Sequence, residues 1–188
     1  MEVVATQCET IRNSWNKRWL SGKHAPKWKS PCEIVIHVQR QSYLSAVGRA
    51  GGSTLGSSLV RRHQDGTVTR RIDLLTTENG ELPALAHELV HVILADHFSE
   101  GTPPLWIDEG LAMLLDTPQK QALHLRDCRM AIESGTMLPL QDLLQLDRPT
   151  SPAQFPAVYG QSLTLTRFSA LVNTNSIDRA GVSIQTIS

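Results

Sequence analysis

The chain has 188 residues, of which 40% are hydrophobic and 19% are charged, an ordinary composition for a globular protein. This length suits one domain and is enough to bury a core without disulfide or metal staples. Lysine and arginine together number 18, as do aspartate and glutamate, so the formal net charge is zero. This balance argues against a nucleic-acid partner, and no run reaches the roughly 18 apolar residues that a membrane span requires.

The N-terminal part of the chain carries the signals of one helix followed by strands. Residues 5–20 place apolar side chains at helical spacing, which predicts an amphipathic helix facing a core. The segment CEIVIHV (32–38) is rich in β-branched residues and predicts a strand. Two further segments, SLVRRH (58–63) and TVTRRIDLL (67–75), flank the turn signal QDG and predict a hairpin.

The pattern changes to helices after residue 79. The segment GELPALAHELVHVILADHF (80–98) has few turn residues and predicts one buried helix, and further helices are predicted over 105–116, 117–135 and 154–173. Strands first and helices after predict an α+β fold. We expect a single domain over residues 1–188, divided into an N-terminal helix and sheet (1–79), a helical half (80–173) and a tail (174–188).

Three cysteines, Cys8, Cys32 and Cys128, have no CxxC spacing, which argues against a cysteine-based zinc site. Cys8 and Cys32 could form a disulfide if the first helix packs beside the first strand. Buried free thiols are an equally good interpretation, so the sequence leaves both open.

The stretch HELVH (87–91) is the strongest chemical signal in the chain. Residues four apart share one face of a helix, so His87 and His91 can direct imidazole nitrogens at one Zn²⁺ ion. Glu88 lies roughly 100° further around the helix, where its carboxylate can act as a general base toward water at the metal. The alternative is a helix with two satisfied histidines, but the apolar neighbours predict burial, which is costly for unpaired imidazoles and carboxylates.

The third metal ligand has two candidate positions. His97 matches the last histidine of the metzincin pattern HExxHxxGxxH, but Leu94 replaces the glycine that would end the helix. On a continuous helix His97 lies roughly 9 Å along the axis from His91 and cannot reach the same ion. Glu109, an acid in the otherwise apolar segment WIDEGLA, is the better candidate, while Asp108 suits a bond to a ligand histidine's free N–H.

Together, HELVH and PPLWIDEGLA resemble the gluzincins, zinc peptidases with HExxH and a downstream glutamate, and most closely their peptidase MA-like group. The resemblance covers roughly residues 70–173. It implies a zincin-like fold, with a small twisted, mostly antiparallel sheet packed on an active-site helix. It also implies that RRIDLLTT (70–77) is an edge strand lying alongside an extended peptide.

The resemblance implies a zinc-dependent peptidase that uses metal-activated water, with one Zn²⁺ ion held by His87, His91 and Glu109. The general base implied by the family pattern is Glu88. The segment AVYGQSLTLTRF resembles the family helix that a tyrosine opens, which implies that Tyr159 stabilises an oxyanion; a core tyrosine with a satisfied hydroxyl is the alternative. A second hypothesis for the whole protein is a non-catalytic zinc or peptide-binding module on the same scaffold.

The partner implied by this resemblance is a peptide or protein substrate. Because the chain is short for a gluzincin, we expect either an open cleft or a partner chain that completes it. The first fifteen residues lack the basic and apolar regions of a signal peptide, and the sequence predicts no particular location.

Overall fold

The computed structural model describes residues 2–20, 27–98 and 101–172. The helices are α1 Glu2–Trp19, α2 Arg40–Val47, α3 Leu85–His97, α4 Leu105–Met113, α5 Pro118–Glu133, α6 Leu140–Gln145 and α7 Phe155–Val172. The strands are β1 Cys32–His37, β2 Gly56–Arg62 and β3 Val68–Leu75. The α+β prediction is confirmed. No helix in these ranges is both long and apolar enough to cross a membrane, and the predicted tail (174–188) lies outside them.

The three strands form one mixed sheet in the order β1-β3-β2. The predicted hairpin is confirmed, because β2 and β3 pair antiparallel around a turn in which Gly66 has a φ of 79°. The other pair, β1 with β3, is parallel. The sheet was expected to be mostly antiparallel, but it contains one parallel and one antiparallel pair of strands.

The prediction that residues 70–77 form an edge strand is wrong. Within β3, Ile72 faces Ile34 of β1 on one side and Ser58 of β2 on the other, so β3 is central. A parallel pair needs a crossover connection, and α2 is part of the connection between β1 and the far edge of the sheet. Helix α2 was not predicted from the sequence, and without that crossover the position of β2 at the edge could not be foreseen.

A buried polar network ties α2 to the sheet. The imidazole of His37 at the end of β1 has its Nε2 2.7 Å from Asp73 Oδ1 and its Nδ1 2.9 Å from Ser42 Oγ. Arg71 donates to both carboxylate oxygens of Asp73, at 2.7 and 2.9 Å. Burial opposes ionisation of Asp73, but Arg71 and His37 outweigh it and lower the pKa of this carboxyl.

Helix α3 lies at the centre of the core. Leu89, Val90 and Leu94 are almost fully buried, because the helix packs against β2, α1 and α4. It begins at Leu85, later than predicted, because Pro83 and the residue after it form a turn before the helix. The predicted amphipathic character of α1 is confirmed by Trp15, which is 3% exposed in the same core.

The cysteines are free thiols in this structure, which favours the second of the two interpretations left open by the sequence. Cys8 is buried on α1, and Cys32 begins β1 at the edge of the same core. Burial raises the pKa of the Cys32 thiol to about 12, with the nearby Cys8 thiol as a further cause. Neither thiol is therefore an activated nucleophile at neutral pH.

Helix α7 packs on both α4 and α5. Glycines allow these helices to come close together, because they have no side chain in the contact. A Cβ atom added at Gly160 of α7 would lie 2.6 Å from the backbone nitrogen of Cys128 and 2.7 Å from the carbonyl oxygen of His124. A Cβ atom added at Gly110 of α4 would lie 2.0 Å from Thr166 Oγ1. Helix α7 therefore approaches both α4 and α5 at distances that only glycine permits.

We predict that Gly160→Ala destabilises the protein by about 1–3 kcal/mol, because the added methyl group meets the backbone of α5, which cannot rotate away. Without that contact, the same substitution in a helix would stabilise by up to about 1 kcal/mol. Chemical denaturation of both forms measures the difference. Gly52→Ala, where an added Cβ would meet nothing within 4 Å, serves as the control; equal stabilities of the two variants would contradict the prediction.

Candidate metal centre

The first turns of α3 bring His87 and His91 together on one face of the helix. Their ring centroids lie 4.9 Å apart with an interplanar angle of 73°. Helical geometry explains the pairing, since residues four apart are neighbours on the helix surface. His97, at the other end of α3, is exposed and packs its ring against Phe98, so it does not join this pair.

Glu109 of α4 completes a group of three ligand-type side chains. Its Oε2 lies 3.8 Å from His87 Nε2, and one ligand atom from each of His87, His91 and Glu109 lies within 4.8 Å of the others. Ligand atoms around a tetrahedral Zn²⁺ lie roughly 3.3 Å apart, so the group is slightly wider than a closed site. Two imidazoles and one carboxylate are a donor set that suits zinc and leaves a fourth position open.

Each of these histidines contacts a carboxylate through its other ring nitrogen. His87 Nδ1 lies 3.1 Å from Asp116 Oδ1, and His91 Nδ1 lies 2.9 Å from Asp108 Oδ1. The contact of His91 with Asp108 is an ion pair when the imidazole is protonated. Carboxylates in this position fix the tautomer and orientation of metal-binding histidines, which leaves both Nε2 atoms for the metal.

Asp116, which follows α4, was not predicted from the sequence. Its side chain is 1% exposed and has three partners. The Oδ1 atom contacts His87 and accepts a hydrogen bond from Lys120 Nζ at 2.9 Å. The Oδ2 atom lies 3.8 Å from His124 Nε2. Burial opposes its ionisation, but His87 and Lys120 outweigh this effect and lower the pKa of Asp116. No local sequence pattern links Asp116 to the HELVH motif, so only the fold could reveal it.

The charges around His91 and Glu109 depend on one another. Burial alone would lower the pKa of His91, but the carboxylates of Asp108, Glu109 and Glu88 outweigh it and raise that pKa to about 9. Burial raises the pKa of Glu109, although the two histidines oppose this effect. In the metal-free protein, His91 is therefore protonated at neutral pH and neutralises part of the carboxylate charge.

Glu88 follows His87 on α3 and is 9% exposed. It lies outside the group of potential metal ligands found among the described residues, as expected from its position around the helix. No hydrogen bond to its carboxylate is found within residues 2–20, 27–98 and 101–172. A buried carboxylate without a protein partner is costly, and such groups occur where a ligand or water completes the bonding.

Tyr159 of α7 lines the same cavity as the three ligand-type side chains. Its ring packs against Phe155 and against His124, with centroids 5.6 and 6.0 Å away. Burial raises the pKa of the Tyr159 hydroxyl well above its usual range, and the Glu109 carboxylate adds to this increase. The hydroxyl therefore stays protonated and can donate a hydrogen bond. Burial also lowers the pKa of His124, which favours the neutral imidazole.

A cavity of about 1480 Å³ opens onto these side chains. One wall is formed by residues 53–58, which lead into β2 and begin it, and Val60 extends this wall. The opposite wall comes from α5, α7 and the segment between α6 and α7. His87, Glu88, His91, Glu109 and Tyr159 all line the space between the two walls. The described residues thus line both sides of the cavity, and the expected partner chain is not tested by this arrangement.

Comparison with protein-family models, with curated proteins and with solved structures gives no match. The resemblance to the gluzincins therefore stays a prediction.

We predict that Asp116→Asn lowers the affinity for Zn²⁺ by about 10- to 100-fold, because the substitution removes the charge that orients His87 and supports its basicity. A competition titration against a chromogenic chelator measures the change. Asp142→Asn, at an exposed position of α6, removes the same charge away from the site. Equal zinc affinity in the two variants would show that Asp116 does not support the centre.

We also predict a pH dependence of the metal-free protein. Because the pKa of His91 is raised from 6.5 to about 9, its protonation stabilises the fold fully below pH 6.5 and progressively less as the pH rises toward 9. The Tm measured with excess chelator should fall across this interval. His91→Gln should flatten the profile there, and parallel profiles for the two proteins would contradict the assignment.

Proposed function

We propose that this protein is a zinc-dependent peptidase of the gluzincin type. The observation that carries the proposal is the combination of three converging ligand side chains with a buried, unpartnered carboxylate in one cavity. His87, His91 and Glu109 would hold the ion through two imidazole nitrogens and one carboxylate oxygen. When bound, Zn²⁺ supplies Lewis-acid chemistry that makes water a nucleophile near neutral pH and polarises a carbonyl group.

Glu88 has the position and chemistry of a general base. It adjoins His87 in the sequence and lines the cavity, and no partner among the described residues holds its carboxylate away from substrate. We infer that it takes a proton from the attacking water while the new C–O bond forms. It then delivers this proton to the amine nitrogen as the C–N bond breaks, which completes hydrolysis of the amide.

Tyr159 is the proposed hydrogen-bond donor to the carbonyl oxygen as that oxygen gains negative charge. Its raised pKa favours the protonated hydroxyl that this role requires. The edge of the sheet beside the cavity is β2, and its unpaired backbone groups suit an extended peptide. In the proposal, β2 takes the place that the sequence analysis gave to residues 70–77.

The test is the substitution Glu88→Gln combined with digestion of a peptide library. We predict that the variant keeps its fold and its stoichiometric zinc while the rate of cleavage falls by about 10²- to 10⁴-fold, because the amide cannot take up a proton. The wild-type protein should lose cleavage when the metal is removed with a chelator and regain it with zinc. Glu133→Gln, an exposed carboxylate on α5, is the matched control.

Full cleavage by the Glu88→Gln variant would remove the catalytic assignment of that residue. Binding of library peptides without any cleavage by the wild-type protein would instead favour the non-catalytic binding module. The two outcomes are separated by mass spectrometry of the peptides after incubation.

A further inference from the structure

Gly56, the first residue of β2, lies against the side chain of Glu88. A Cβ atom added at Gly56 would lie 2.6 Å from Glu88 Cγ and 2.8 Å from Glu88 Oε1, closer than non-bonded atoms approach one another. It would also lie 2.7 Å from the Cβ of Ala84. Gly56 does not have a positive φ, so its backbone conformation would accept alanine, and the lack of space is what requires glycine.

The segment 51–56, which leads into this contact, is held in place by two side chains of α2. Arg40 Nη1 donates hydrogen bonds at 3.0 to 3.4 Å to the carbonyl oxygens of Gly51, Gly52 and Thr54. The hydroxyl of Tyr43, a fully buried residue, lies 2.7 Å from the hydroxyl of Thr54. The segment therefore cannot move away from α3 without breaking several bonds.

The carboxylate of Glu88 has no hydrogen bond to the described residues that would fix its direction. Its orientation therefore depends on the atoms packed around its stem, and those on one side belong to Gly56 and Ala84. Burial raises the pKa of Tyr43, and the Glu88 carboxylate adds to this effect, in keeping with a carboxylate held close to the anchored segment.

We propose that Gly56 is a positioning residue for Glu88: the bare backbone at the start of β2 leaves the space in which the carboxylate is confined and directed into the cavity. This inference rests on the proposed function, because it gives Gly56 a role in the rate of hydrolysis. Gly56 itself does not contact the reacting atoms in this proposal. It acts only through the side chain of Glu88.

The kinetic test is Gly56→Ala, compared with Gly52→Ala in the same anchored region, where an added Cβ would meet nothing within 4 Å. Displacement of a catalytic group by about 1 Å can cost 100-fold in rate, so we expect kcat to fall by roughly 10- to 100-fold. Zinc stoichiometry should stay as in the wild type, because none of the three ligand side chains changes. Gly52→Ala should behave as the wild type.

A second measurement does not depend on activity. We expect Gly56→Ala to lower Tm by roughly 2–10 °C, and to lower it by clearly less when introduced together with Glu88→Ala, since the main obstructing side chain is then absent. Some loss should persist, because the Cβ of Ala84 also lies 2.7 Å from the added atom. If Gly56→Ala alone fails to fold, folding of the double variant demonstrates the same coupling.

The failures of the two proposals are distinguishable. A wild-type protein that cleaves no peptide overturns the proposed peptidase function, and with it the kinetic role of Gly56, while the Tm comparison still decides whether Gly56 confines Glu88. An active wild type whose Gly56→Ala variant keeps its kcat overturns the positioning role. Equal Tm losses from Gly56→Ala with Glu88 present and with Glu88→Ala would overturn the contact on which the role depends.

Discussion

Four ionisable side chains, His87, Glu88, His91 and Glu109, lie largely buried where α3 meets α4, and burial disfavours every charge among them. Such a buried group is stable only if its charges neutralise one another or if a bound ion neutralises them. The carboxylates of Asp108 and Asp116 hold the outer nitrogens of the histidines, so the inner nitrogens face Glu109. The surrounding helices α3 and α4 and the turn after α4 hold these groups in this relation.

Close contacts at glycines bring each structural element of the site into place. Gly110 follows Glu109 and lets α4 approach α7, while Gly160 follows Tyr159 and lets α7 approach α5. The third glycine, Gly56, lets β2 approach Glu88. In each case a glycine that permits close packing adjoins a site residue, in the sequence or in space. Because interiors are packed at crystal-like density, a methyl group at any of these positions must displace a backbone or a functional side chain.

The residues of the candidate metal site were predictable because their signals are local. HELVH fixes two histidines on one helical face, and an isolated acid in WIDEGLA indicates a carboxylate that burial would otherwise penalise. The structure brings His87, His91 and Glu109 together as expected and leaves His97 apart. Asp108 was also predictable, since it precedes Glu109 on the same helix and meets His91.

The remaining features depend on contacts between distant segments and had no local signal. The order of strands depends on the crossover through α2, whose sequence RQSYLSAV has only a weak apolar period. Asp116 reaches His87 only because the chain turns between α4 and α5. Gly56 resembles any other glycine in the Gly/Ser-rich connection before β2, and its importance follows from the register that places it over Glu88.

The balance of charge at the centre gives an independent argument for a cation. Four carboxylates, those of Glu88, Asp108, Glu109 and Asp116, surround the two histidines, and Lys120 is the basic side chain that is paired directly with one of them. The low dielectric of a buried site makes such an excess of negative charge unfavourable. In the metal-free protein a proton on His91 neutralises part of this excess negative charge, as the raised pKa of that residue indicates. A divalent ion would replace this one positive charge with two and would occupy the point on which both inner nitrogens converge. If zinc binds as proposed, protons and the metal ion would compete for the same centre, since the acidic surroundings that raise the pKa of His91 would also attract a divalent cation.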